Sequence, residues 1–584
     1  ADESRKCRGW HWPDLRREMV LMRITKAHGQ YCLAKVKLDG NSIQSLSSMP
    51  GFKRWVGRDL LFAPTGANIH HLSKFWPDAH WDEDAVPILD KYLETLTEAA
   101  NTKEDKDKDF VDQGDFLFKT KPYDHQRKAF YLSRDKESFA LLMEQGTGKT
   151  KVIIDNAAYL YAQGKITALV VVAPNGVHRN WLRKEIPAHM PDWCITQSAY
   201  YAAGMSAKDL DKFKDVMSAQ DCLRIFSFNC EAFVSNRAIE LMDNVLLSNQ
   251  TMLIVDESSR IKRPGAKRTK VITKFGKVAR YKRILTGTPV TKGPEDVYSQ
   301  FKFLDPNILG YDSFYSFRAR YCVMGGYEQK QIVSYQNVDE LTSSIGGHSF
   351  RVLKKDCLDL PDKIYQRYPV ELTKKQRKLY DQMKKDFFTE LDGDHVSAPE
   401  AITRLLRLQQ IICGWFPAEG SLVQIDEKNP RIEALLSALS DIDCKVIIWA
   451  RFKADIRAIG AVLGDAAVSY YGDVSNDDRE HAVEAFQEDP TVRYFIGQPQ
   501  SGGIGLTLTA AECAIYYSNS FDLETRLQSE DRCHRIGTKN NVTYIDFESP
   551  KTIDTKIINA LRDKKSIADM ITKDPASMFI SEEI

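Results

Sequence analysis

The chain has 584 residues, of which 43% are hydrophobic and 28% are charged, and its formal net charge is +1. This composition is typical of a soluble globular protein of several domains, and it excludes a chain that is basic throughout. The eleven cysteines form no CxxC pair, which argues against a structural zinc site and a disulfide framework. The longest apolar runs are too short to cross a bilayer, so no membrane partner is expected.

The first hundred residues differ in texture from the rest of the chain. They are rich in aromatic residues, and the charge-dense stretch NTKEDKDKD follows them at 101–109. Because that stretch has few apolar side chains to bury, it is predicted to be a linker. We therefore expect a small α+β domain together with its linker over residues 1–110.

After this segment, short apolar runs alternate with amphipathic stretches. The main runs are ALVVVAP, TMLIVDES, KRILTGTP, KVIIWA, RYFIGQ, CAIYYS and TYIDF. Because they are nearly continuous, they indicate parallel strands that helices cover on both faces. The predicted fold class is α/β with two doubly wound parallel-sheet lobes. We expect these lobes over 111–365 and 366–584, with a helical insertion at 372–415 in the second.

The first motif that carries chemistry is a glycine-rich loop between an apolar run and a helical one. It reads GTGKT and consists of Gly146, Thr147, Gly148, Lys149 and Thr150. The backbone N–H groups of such a loop and the N-terminus of the next helix favour phosphate. Lys149 is expected to reach the β- and γ-phosphates of ATP, and Thr150 is expected to bind Mg²⁺. The strict pattern has glycine at the position of Met143.

Two acidic residues end a second apolar run, at Asp256 and Glu257. An aspartate at the end of a strand beside a phosphate-binding loop is placed to hold Mg²⁺, so Asp256 is the second predicted metal ligand. Glu257 is then placed to orient and deprotonate the attacking water. The alternative is a pair of exposed acids after a strand.

A third apolar run ends in LTGTP. Thr286, Gly287 and Thr288 in this block are expected to sense the γ-phosphate and to couple it to a polynucleotide. A plain turn is the alternative, because Gly-Thr-Pro also suits a turn.

Two arginines near the end of the chain complete the predicted site. Arg532 and Arg535 are three positions apart and therefore neighbours on one helix face. Both are expected to stabilise the charge that develops on a γ-phosphate, and Gln528 lies one turn earlier on the same side. Arginines in surface salt bridges are the alternative.

The stretch from Arg260 to Arg283 contains eleven Lys or Arg and no Asp or Glu. So one-sided a run repels itself unless an anion lies nearby, which indicates proximity to a phosphate backbone. A solvated helix face is the alternative, and the sequence leaves both open.

Taken in order, the blocks GTGKT, DES, LTGTP, SGGIGLTLTAAE and QSEDRCHRIG resemble the motifs of Swi/Snf-type superfamily-2 helicases and translocases. The resemblance runs from about Lys121 to about Thr555. It implies two RecA-like lobes, ATP and Mg²⁺ as cofactors, and duplex or branched DNA as the partner. Asp531 before Arg532, and the HRIG sequence after it, look more like this family than like DEAD-box RNA helicases.

The resemblance also implies which residues bind the nucleotide and the DNA. For the nucleotide these are Gln126, Gln145, Gly146, Thr147, Gly148, Lys149, Thr150 and Gly505. For the DNA they are Asn175, Asn180, Lys262, Arg263, Arg451, Ser501 and Phe521. Contacts of this kind are with the phosphate backbone, so binding is expected to tolerate any sequence and to weaken with salt.

Two details narrow the resemblance to annealing helicases of the HARP type. DES stands in place of the commoner DEAH. Arg320-Tyr321-Cys322 and the later segment 336–341 are also similar to the corresponding segments of that type. The first 110 residues are similar to a HARP module, which in that family binds DNA and helps to recognise forks. An unrelated small α+β cap is the alternative.

Two positions depart from the family pattern. Ser259 stands where most members have histidine, a residue that links the magnesium-binding motif to the LTGTP motif. Phe521 stands where they have tryptophan. The substitution keeps an aromatic side chain at this position, and its fit against the DNA is expected to differ.

These observations together predict an ATP-dependent translocase on double-stranded DNA that remodels branched DNA by annealing or by fork or branch migration. One alternative is a translocase that displaces or recycles RNA polymerase or another DNA-bound protein. A second is an RNA helicase, and a third is a non-catalytic DNA-binding scaffold. A monomer is expected, in the cytoplasm of a bacterium or phage-infected host, or in the nucleus if the source is eukaryotic.

Overall fold

The computed structural model describes residues 22–27, 32–35, 46, 49, 52–56, 59–106, 114–175, 177–202, 205–290, 293–326, 331–391, 398–418, 421–502, 506–520, 522–536, 538 and 540–573. Strands in this part of the chain form three sheets and two separate hairpins. Within the described ranges, no helix combines the length and the apolar character that crossing a membrane requires.

The amino-terminal sheet has five strands in the order β3-β4-β2-β1-β5. The strands are β1 Arg23–Lys26, β2 Cys32–Lys35, β3 Phe52–Val56, β4 Asp59–Phe62 and β5 His80–Trp81. The helices are α1 Gly66–Phe75 and α2 Val86–Lys106. Only the pairing of β1 with β5 is parallel. Ile24, Leu60, Phe62 and Leu72 are buried in one small core, which gives the α+β unit that the sequence predicts.

Helix α2 continues through Lys106, so residues 101–106 are helical where the sequence predicts a linker. Thr102 is 1% exposed, Lys103 Nζ donates to Ser343 Oγ at 2.7 Å, and Lys106 Nζ donates to the carbonyl of Gly346. These six residues are therefore helical and contact the first lobe, and their role as a linker stays a prediction. Their charges are held by polar groups of the next lobe, which local composition cannot reveal.

The amino-terminal unit packs closely on the first lobe at two glycines. A Cβ on Gly66 would lie 2.8 Å from the carbonyl oxygen of Asn307, and one on Gly347 would lie 2.3 Å from the Cβ of Ala99. Because a real Cβ cannot approach another atom so closely, only glycine permits these contacts.

The first lobe is built on a sheet of seven parallel strands in the order β14-β6-β11-β10-β7-β9-β8. They are β6 Ser138–Met143, β7 Ala168–Ala173, β8 Thr196–Tyr200, β9 Leu223–Asn229, β10 Thr251–Asp256, β11 Tyr281–Leu285 and β14 Ser349–Val352. A separate antiparallel hairpin pairs β12 Cys322–Gly325 with β13 Gln331–Tyr335. Every residue of β7 and β10 is buried, as expected for central strands that helices cover on both faces.

Helices surround this sheet and bury two apolar cores, one on each face. The helices are α3 Asp124–Ser133, α4 Lys149–Ala162, α5 Val177–Asn180, α6 Ile186–His189, α7 Ala207–Ser218, α8 Asn236–Ser248, α9 Lys267–Gly276, α10 Val297–Leu304, α11 Pro306–Leu309, α12 Phe314–Tyr321, α13 Val338–Gly346 and α14 Lys354–Cys357. A π-helical turn, Trp181–Glu185, joins α5 to α6. Short 3-10 turns occur at Cys230–Val234, Ser258–Ile261 and Pro294–Asp296.

The second lobe has six parallel strands in the order β15-β22-β21-β18-β20-β19. They are β15 Lys363–Pro369, β18 Lys445–Trp449, β19 Ala467–Tyr470, β20 Tyr494–Gly497, β21 Ala511–Tyr516 and β22 Val542–Glu548, with a hairpin of β16 Trp415–Ala418 and β17 Ser421–Gln424. Its helices are α15 Lys374–Leu391, α16 Ala398–Ile412, α17 Pro430–Ser440, α18 Lys453–Leu463, α19 Asn476–Glu488, α20 Pro499–Gly502, α21 Leu523–Glu530 and α22 Ile553–Lys573. A 3-10 turn follows α18 at Gly464–Ala466. Two parallel-sheet lobes are thus present, and the predicted α/β fold class is confirmed.

A buried ion pair ties three elements of the second lobe together. Arg431 in α17 is fully buried and lies 2.9 Å from Asp554 in α22. The same guanidinium donates to the carbonyl of Phe547 in β22 at 3.0 Å and to that of Tyr517 at 2.7 Å. This network fixes the last helix against the sheet.

The order of the strands determines where the predicted motifs meet. β6 ends at Met143, β10 at Asp256 and β11 at Leu285, and these parallel strands are neighbours in one sheet. Since carboxyl ends of parallel strands share one edge, the three segments that follow them lie together there.

Candidate active site

The phosphate-binding loop has the backbone conformation that its glycines allow. Gly146 and Gly148 have φ angles of 79° and 86°, in the left-handed region that side chains disfavour. A Cβ on Gly148 would lie 2.2 Å from Nε2 of Gln126, so that glutamine packs directly on the loop. Gln126 Nε2 also donates to the carbonyl of Thr147 at 3.0 Å, and His125 Nε2 lies 2.8 Å from the same oxygen.

Lys149 is buried at the base of the loop. Its Nζ donates to the carbonyl oxygens of Met143 at 2.9 Å and Glu144 at 3.3 Å. Burial lowers the pKa of Lys149, and the nearby carboxylates of Glu257 and Asp256 oppose that shift. The side chain of Thr150 lines the same cleft.

Asp256 and Glu257 form a buried carboxylate pair beside Lys149. Trp181 Nε1 donates to Asp256 Oδ2 at 3.0 Å, which orients that carboxylate. Glu257 has a φ of 49°, and its backbone N–H donates to Asp256 Oδ1 at 2.9 Å. Burial raises the pKa of both groups, and the Asp256 charge adds to the effect at Glu257. Oε2 of Glu257 is buried without a hydrogen-bond partner among the described residues.

Gln145 links the acidic pair to the second lobe. Its Nε2 donates to Glu257 Oε1 at 2.7 Å, and its Oε1 accepts from Arg532 Nη2 at 2.6 Å. Both predicted arginines lie at this interface. Arg535 packs so closely on the loop that a Cβ added to Gly146 would lie 3.0 Å from the Cβ of Arg535. The arginines from the second lobe therefore reach the phosphate-binding loop of the first.

Burial shapes the electrostatics of both guanidiniums. It lowers the pKa of Arg532 to about 10, with a further contribution from the charge of Arg535. Arg532 also donates to the carbonyls of Gln528 and Leu506, at 2.8 and 3.0 Å. The side chain of Gln528 donates to Glu524 Oε1 at 3.3 Å, so this glutamine supports the arginine through its backbone carbonyl.

A lysine that sequence reasoning missed also joins the lobes at this point. Lys354, in the segment that connects them, is 4% exposed and donates from Nζ to Asp531 Oδ1 at 2.6 Å. Its backbone N–H donates to Glu144 Oε2 at 2.8 Å. Burial raises the pKa of Asp531, but Lys354 and Lys363 outweigh it and hold that pKa below its usual value. The segment 351–363, RVLKKDCLDLPDK, resembles the one that joins the two lobes in Swi/Snf-type proteins, and this resemblance is the signal that could have found the lysine.

The LTGTP block lies against the phosphate-binding loop. A Cβ on Gly287 would lie 3.0 Å from the backbone nitrogen of Gln145. The backbone N–H of Thr288 donates to Thr286 Oγ1 at 3.1 Å, and that of Thr286 donates to the carbonyl of Leu141 at 3.2 Å. The block predicted to couple the two sites is thus in contact with the loop.

The residues predicted to bind DNA are more dispersed. Asn175 and Arg263 are exposed, and Asn180 lines the cleft itself. Arg451 donates to the side chain of Gln409, and its backbone N–H donates to Ser518 Oγ at 2.8 Å. Ser501 lies in α20, but its side chain, like Phe521 and the predicted nucleotide-binding Gly505, falls outside the described residues.

Ser259 and Lys262 make a contact between the lobes that the sequence does not suggest. Ser259 Oγ donates to Glu524 Oε1 in α21, and Lys262 Nζ lies 3.4 Å from Glu524 Oε2. The serine at the histidine position therefore reaches the second lobe. Lys262, predicted to contact DNA, is paired with a carboxylate here.

The resulting cleft has a volume of about 420 Å³ and is lined by both lobes. Lys149, Thr150, Asp256 and Glu257 line one wall, and Arg532 with Arg535 and Thr507 lines the other. Cationic groups opposite an unpartnered buried carboxylate oxygen suit a polyphosphate with its divalent cation. The residues present therefore fit ATP and Mg²⁺.

Comparison with known proteins identifies similar chains. Mouse "DNA annealing helicase and endonuclease ZRANB3" is 26% identical over 463 residues, which cover 76% of this chain and 40% of the relative. The Caenorhabditis elegans "SWI/SNF-related matrix-associated actin-dependent regulator of chromatin subfamily A-like protein 1 homolog" is 25% identical over 77% of this chain and 61% of its own length. The "Sulfolobus solfataricus SWI2/SNF2 ATPase core in complex with dsDNA" is 23% identical, with a TM-score of 0.36, over 79% of this chain and 95% of that one.

The chain spans about two fifths of the length of the mouse relative. Residues 45–415 match the SNF2-related domain, and residues 427–537 match the helicase conserved C-terminal domain. The first match alone covers more than half of the sequence. The chain therefore belongs to the SNF2-related family of helicase-like proteins.

Proposed function

We propose that this protein is a DNA-dependent ATPase that moves along double-stranded DNA and remodels branched DNA. The observation that carries this proposal is the contact between Arg532 of the second lobe and Gln145 of the phosphate-binding loop, at 2.6 Å. A nucleotide in this cleft would touch both lobes, so its hydrolysis would change how strongly they are held together.

Each side chain of the cleft has a distinct role in this proposal. Lys149 binds the β- and γ-phosphates, while Arg532 and Arg535 stabilise the charge that develops on the transferred γ-phosphoryl group. Glu257 accepts a proton from the attacking water, which its raised pKa favours. Thr150 and Asp256 would hold Mg²⁺, which neutralises phosphate charge when bound.

Movement of the lobes would be transmitted by polar contacts. The described contacts between them include Lys354 with Asp531, Ser259 with Glu524, and the exposed pair of Arg183 and Glu480 at 2.6 Å. Of these, only the pair of Arg183 and Glu480 is exposed, so it is weak and can be exchanged at little cost. Because one chain supplies both walls of the cleft, we propose that a monomer is sufficient.

We further propose that the DNA that this protein remodels is branched. The mouse relative is named a DNA annealing helicase, and the amino-terminal α+β unit is attached to the first lobe at Gly66 and Gly347. An accessory unit fixed to one lobe would help to recognise a fork while the lobes bind one of its arms. Contacts with phosphates would make this binding tolerant of sequence.

The test is the steady-state ATPase rate of the whole chain with single-stranded DNA, duplex, forked DNA and RNA. We expect duplex to stimulate turnover and forked DNA to stimulate it further. Lys149→Ala is expected to abolish turnover, whereas Lys212→Ala on the exposed face of α7 should leave it unchanged. Stimulation by RNA alone, or full turnover by Lys149→Ala, would contradict the proposed function. Equal rates with duplex and forks would favour displacement of a DNA-bound protein.

A further inference from the structure

Helix α9, Lys267–Gly276, has two opposite faces. Its apolar face buries Ile272 and Phe275 in the core of the first lobe. The other face carries exposed lysines at helical spacing, which continue into the residue just after the helix. We call these residues the lysine ridge: Lys267, Lys270, Lys274 and Lys277.

The ridge is a narrow row of charge. At about 100° per residue, the four positions fall within a sector of about 80°, nearly opposite the buried face. From Lys267 to Lys277 the row extends about 15 Å along the helix axis. A convex row of this shape cannot enclose a small anion, but it can follow a chain of phosphates.

The ridge is electrostatically unfavourable for the folded protein by itself. Neighbouring lysines stand three or four positions apart, where like charges destabilise a helix. The first turn of α9 contains no acidic residue, although that end of a helix favours negative charge. Lys270, Lys274 and Lys277 make no ion pair or hydrogen bond with any residue in the described ranges, while Lys267 Nζ donates to the carbonyl of Val234 at 2.8 Å.

The position of helix α9 places one end of the ridge near the cleft and the residues that are expected to bind DNA. Strand β10 ends at Asp256, beside the cleft, and the loop that follows it carries Lys262 and Arg263. Helix α9 then leads back to the start of β11 at Tyr281, at the opposite edge of the sheet. The ridge thus begins near the residues expected to bind DNA and runs away from the cleft along the outside of the lobe.

We propose that the lysine ridge binds the phosphate backbone of a second duplex arm of branched DNA. The first arm would lie across the two lobes, so the inference rests on the function proposed above and assigns a surface to its branched substrate. It also gives a role to four of the eleven basic residues between 260 and 283.

The variant that tests the ridge is Lys270→Gln with Lys274→Gln. A matched control is Lys208→Gln with Lys212→Gln, because these lysines are also exposed, also four positions apart on a helix, and in the same lobe. In the control helix, however, the lysines alternate with acidic residues such as Asp209 and Asp211. Both variants lose two positive charges.

The measurement is the affinity of the whole chain for a four-way junction and for a linear duplex of one arm, at a series of salt concentrations. Each lost phosphate contact should reduce the slope of log affinity against log salt by about one. We expect the ridge variant to lose about two from the slope on the junction, with the linear duplex unaffected. The control variant should match the native chain on both.

Three outcomes would overturn the inference. They are an unchanged slope on the junction, an equal loss on the linear duplex, and an equal loss in the control variant. A greater loss on an RNA junction of the same sequence would also overturn it, because the partner would then be RNA. Duplex-stimulated ATPase activity, measured in parallel, tests the proposed function separately. Its absence in the native chain would contradict that function, whereas the salt slopes would still show whether the ridge binds the junction.

Discussion

Arg532 of the second lobe and Glu257 of the first are joined through a single amide. Gln145 accepts from the arginine at 2.6 Å with its oxygen and donates to the glutamate at 2.7 Å with its nitrogen. Because the two ends of an amide are chemically different, the side chain satisfies both partners in only one orientation. The position of the second lobe therefore determines how the carboxylate is held.

Replacement of this amide should reduce turnover without weakening ATP binding. In Gln145→Met both hydrogen bonds are lost while the volume is nearly kept, so Glu257 is no longer oriented by the arriving arginine. We expect kcat to fall by about ten-fold or more, since correct placement of a general base contributes at least that much. The KM for ATP should change little, because a loop of this kind binds phosphate through backbone N–H groups, which the substitution keeps. Gln163→Met, at an exposed site after α4, is the control, and an unchanged kcat in Gln145→Met would refute the link.

The acidic pair predicts a pH dependence. Burial and the neighbouring Asp256 raise the pKa of Glu257 to about 7, and only its deprotonated form can accept a proton from water. The value of kcat/KM should therefore rise with pH through about 7 and level off above it, because it reports the free enzyme. Glu257→Gln should remove this rise and lower kcat by about 10²-fold or more. A profile that falls with pH across this range would exclude Glu257 as the base.

We predict that Glu524 competes with DNA for Lys262. The ammonium of Lys262 lies 3.4 Å from this carboxylate in the second lobe, and Ser259 donates to the same group. Glu524→Gln removes the charge of the nearer carboxylate and leaves Asp296 at 4.0 Å, so Lys262 is held less strongly and can approach a phosphate more readily. We expect duplex affinity at low salt to rise by about two- to five-fold, the range of a single partly exposed ion pair.

The control for that experiment is Glu480→Gln. Glu480 also pairs with an arginine across the lobes, at 2.6 Å, but its partner is Arg183 and not Lys262. Fluorescence anisotropy with a labelled duplex would measure both variants. An equal rise in the two would mean that weaker contact between the lobes, rather than the lost charge beside Lys262, increases affinity.

Loss of one partner of the buried pair Arg431 and Asp554 should strongly destabilise the second lobe. Asp554→Ala would leave a fully buried guanidinium without its counter-charge, which costs about 3–5 kcal/mol of the free energy of unfolding. Denaturant unfolding followed by circular dichroism would detect the loss. Asp563→Ala, on the exposed side of the same helix, should have little effect. Equal stability of the two variants would contradict this role for the pair.

Sequence patterns predict the sheets well because a buried parallel strand is a continuous apolar run. Each run singled out in the sequence forms a strand, from β7 to β22. Strands at sheet edges are harder to predict from the sequence. The edge strand β15, KIYQRYP, is partly exposed and carries charged side chains, so it is not a continuous apolar run. The residues that follow β6, β10 and β11 also meet as expected, because parallel neighbours bring their carboxyl ends to one edge.

Single polar residues that work through distant partners could not be predicted. Lys354 and Asp531 are 177 positions apart, and Ser259 and Glu524 are 265 apart. Asp531 and Ser259 lie in recognised motifs, but no local pattern relates either residue to its partner, so only the packing of one lobe on the other brings each pair together. The same reason explains why residues 101–106 read as a linker and form a helix.

The close fit at Gly66 and Gly347 changes how the amino-terminal unit should be studied. Removing residues 1–106 would uncover the surface around Asn307 and Gly347 that now excludes water, so a shortened chain would lose solubility or stability together with any binding site. Substitutions at exposed side chains, such as Lys74 and Phe75, would leave that interface intact. Such substitutions would test what the amino-terminal unit binds without exposing the surface of the first lobe that it covers.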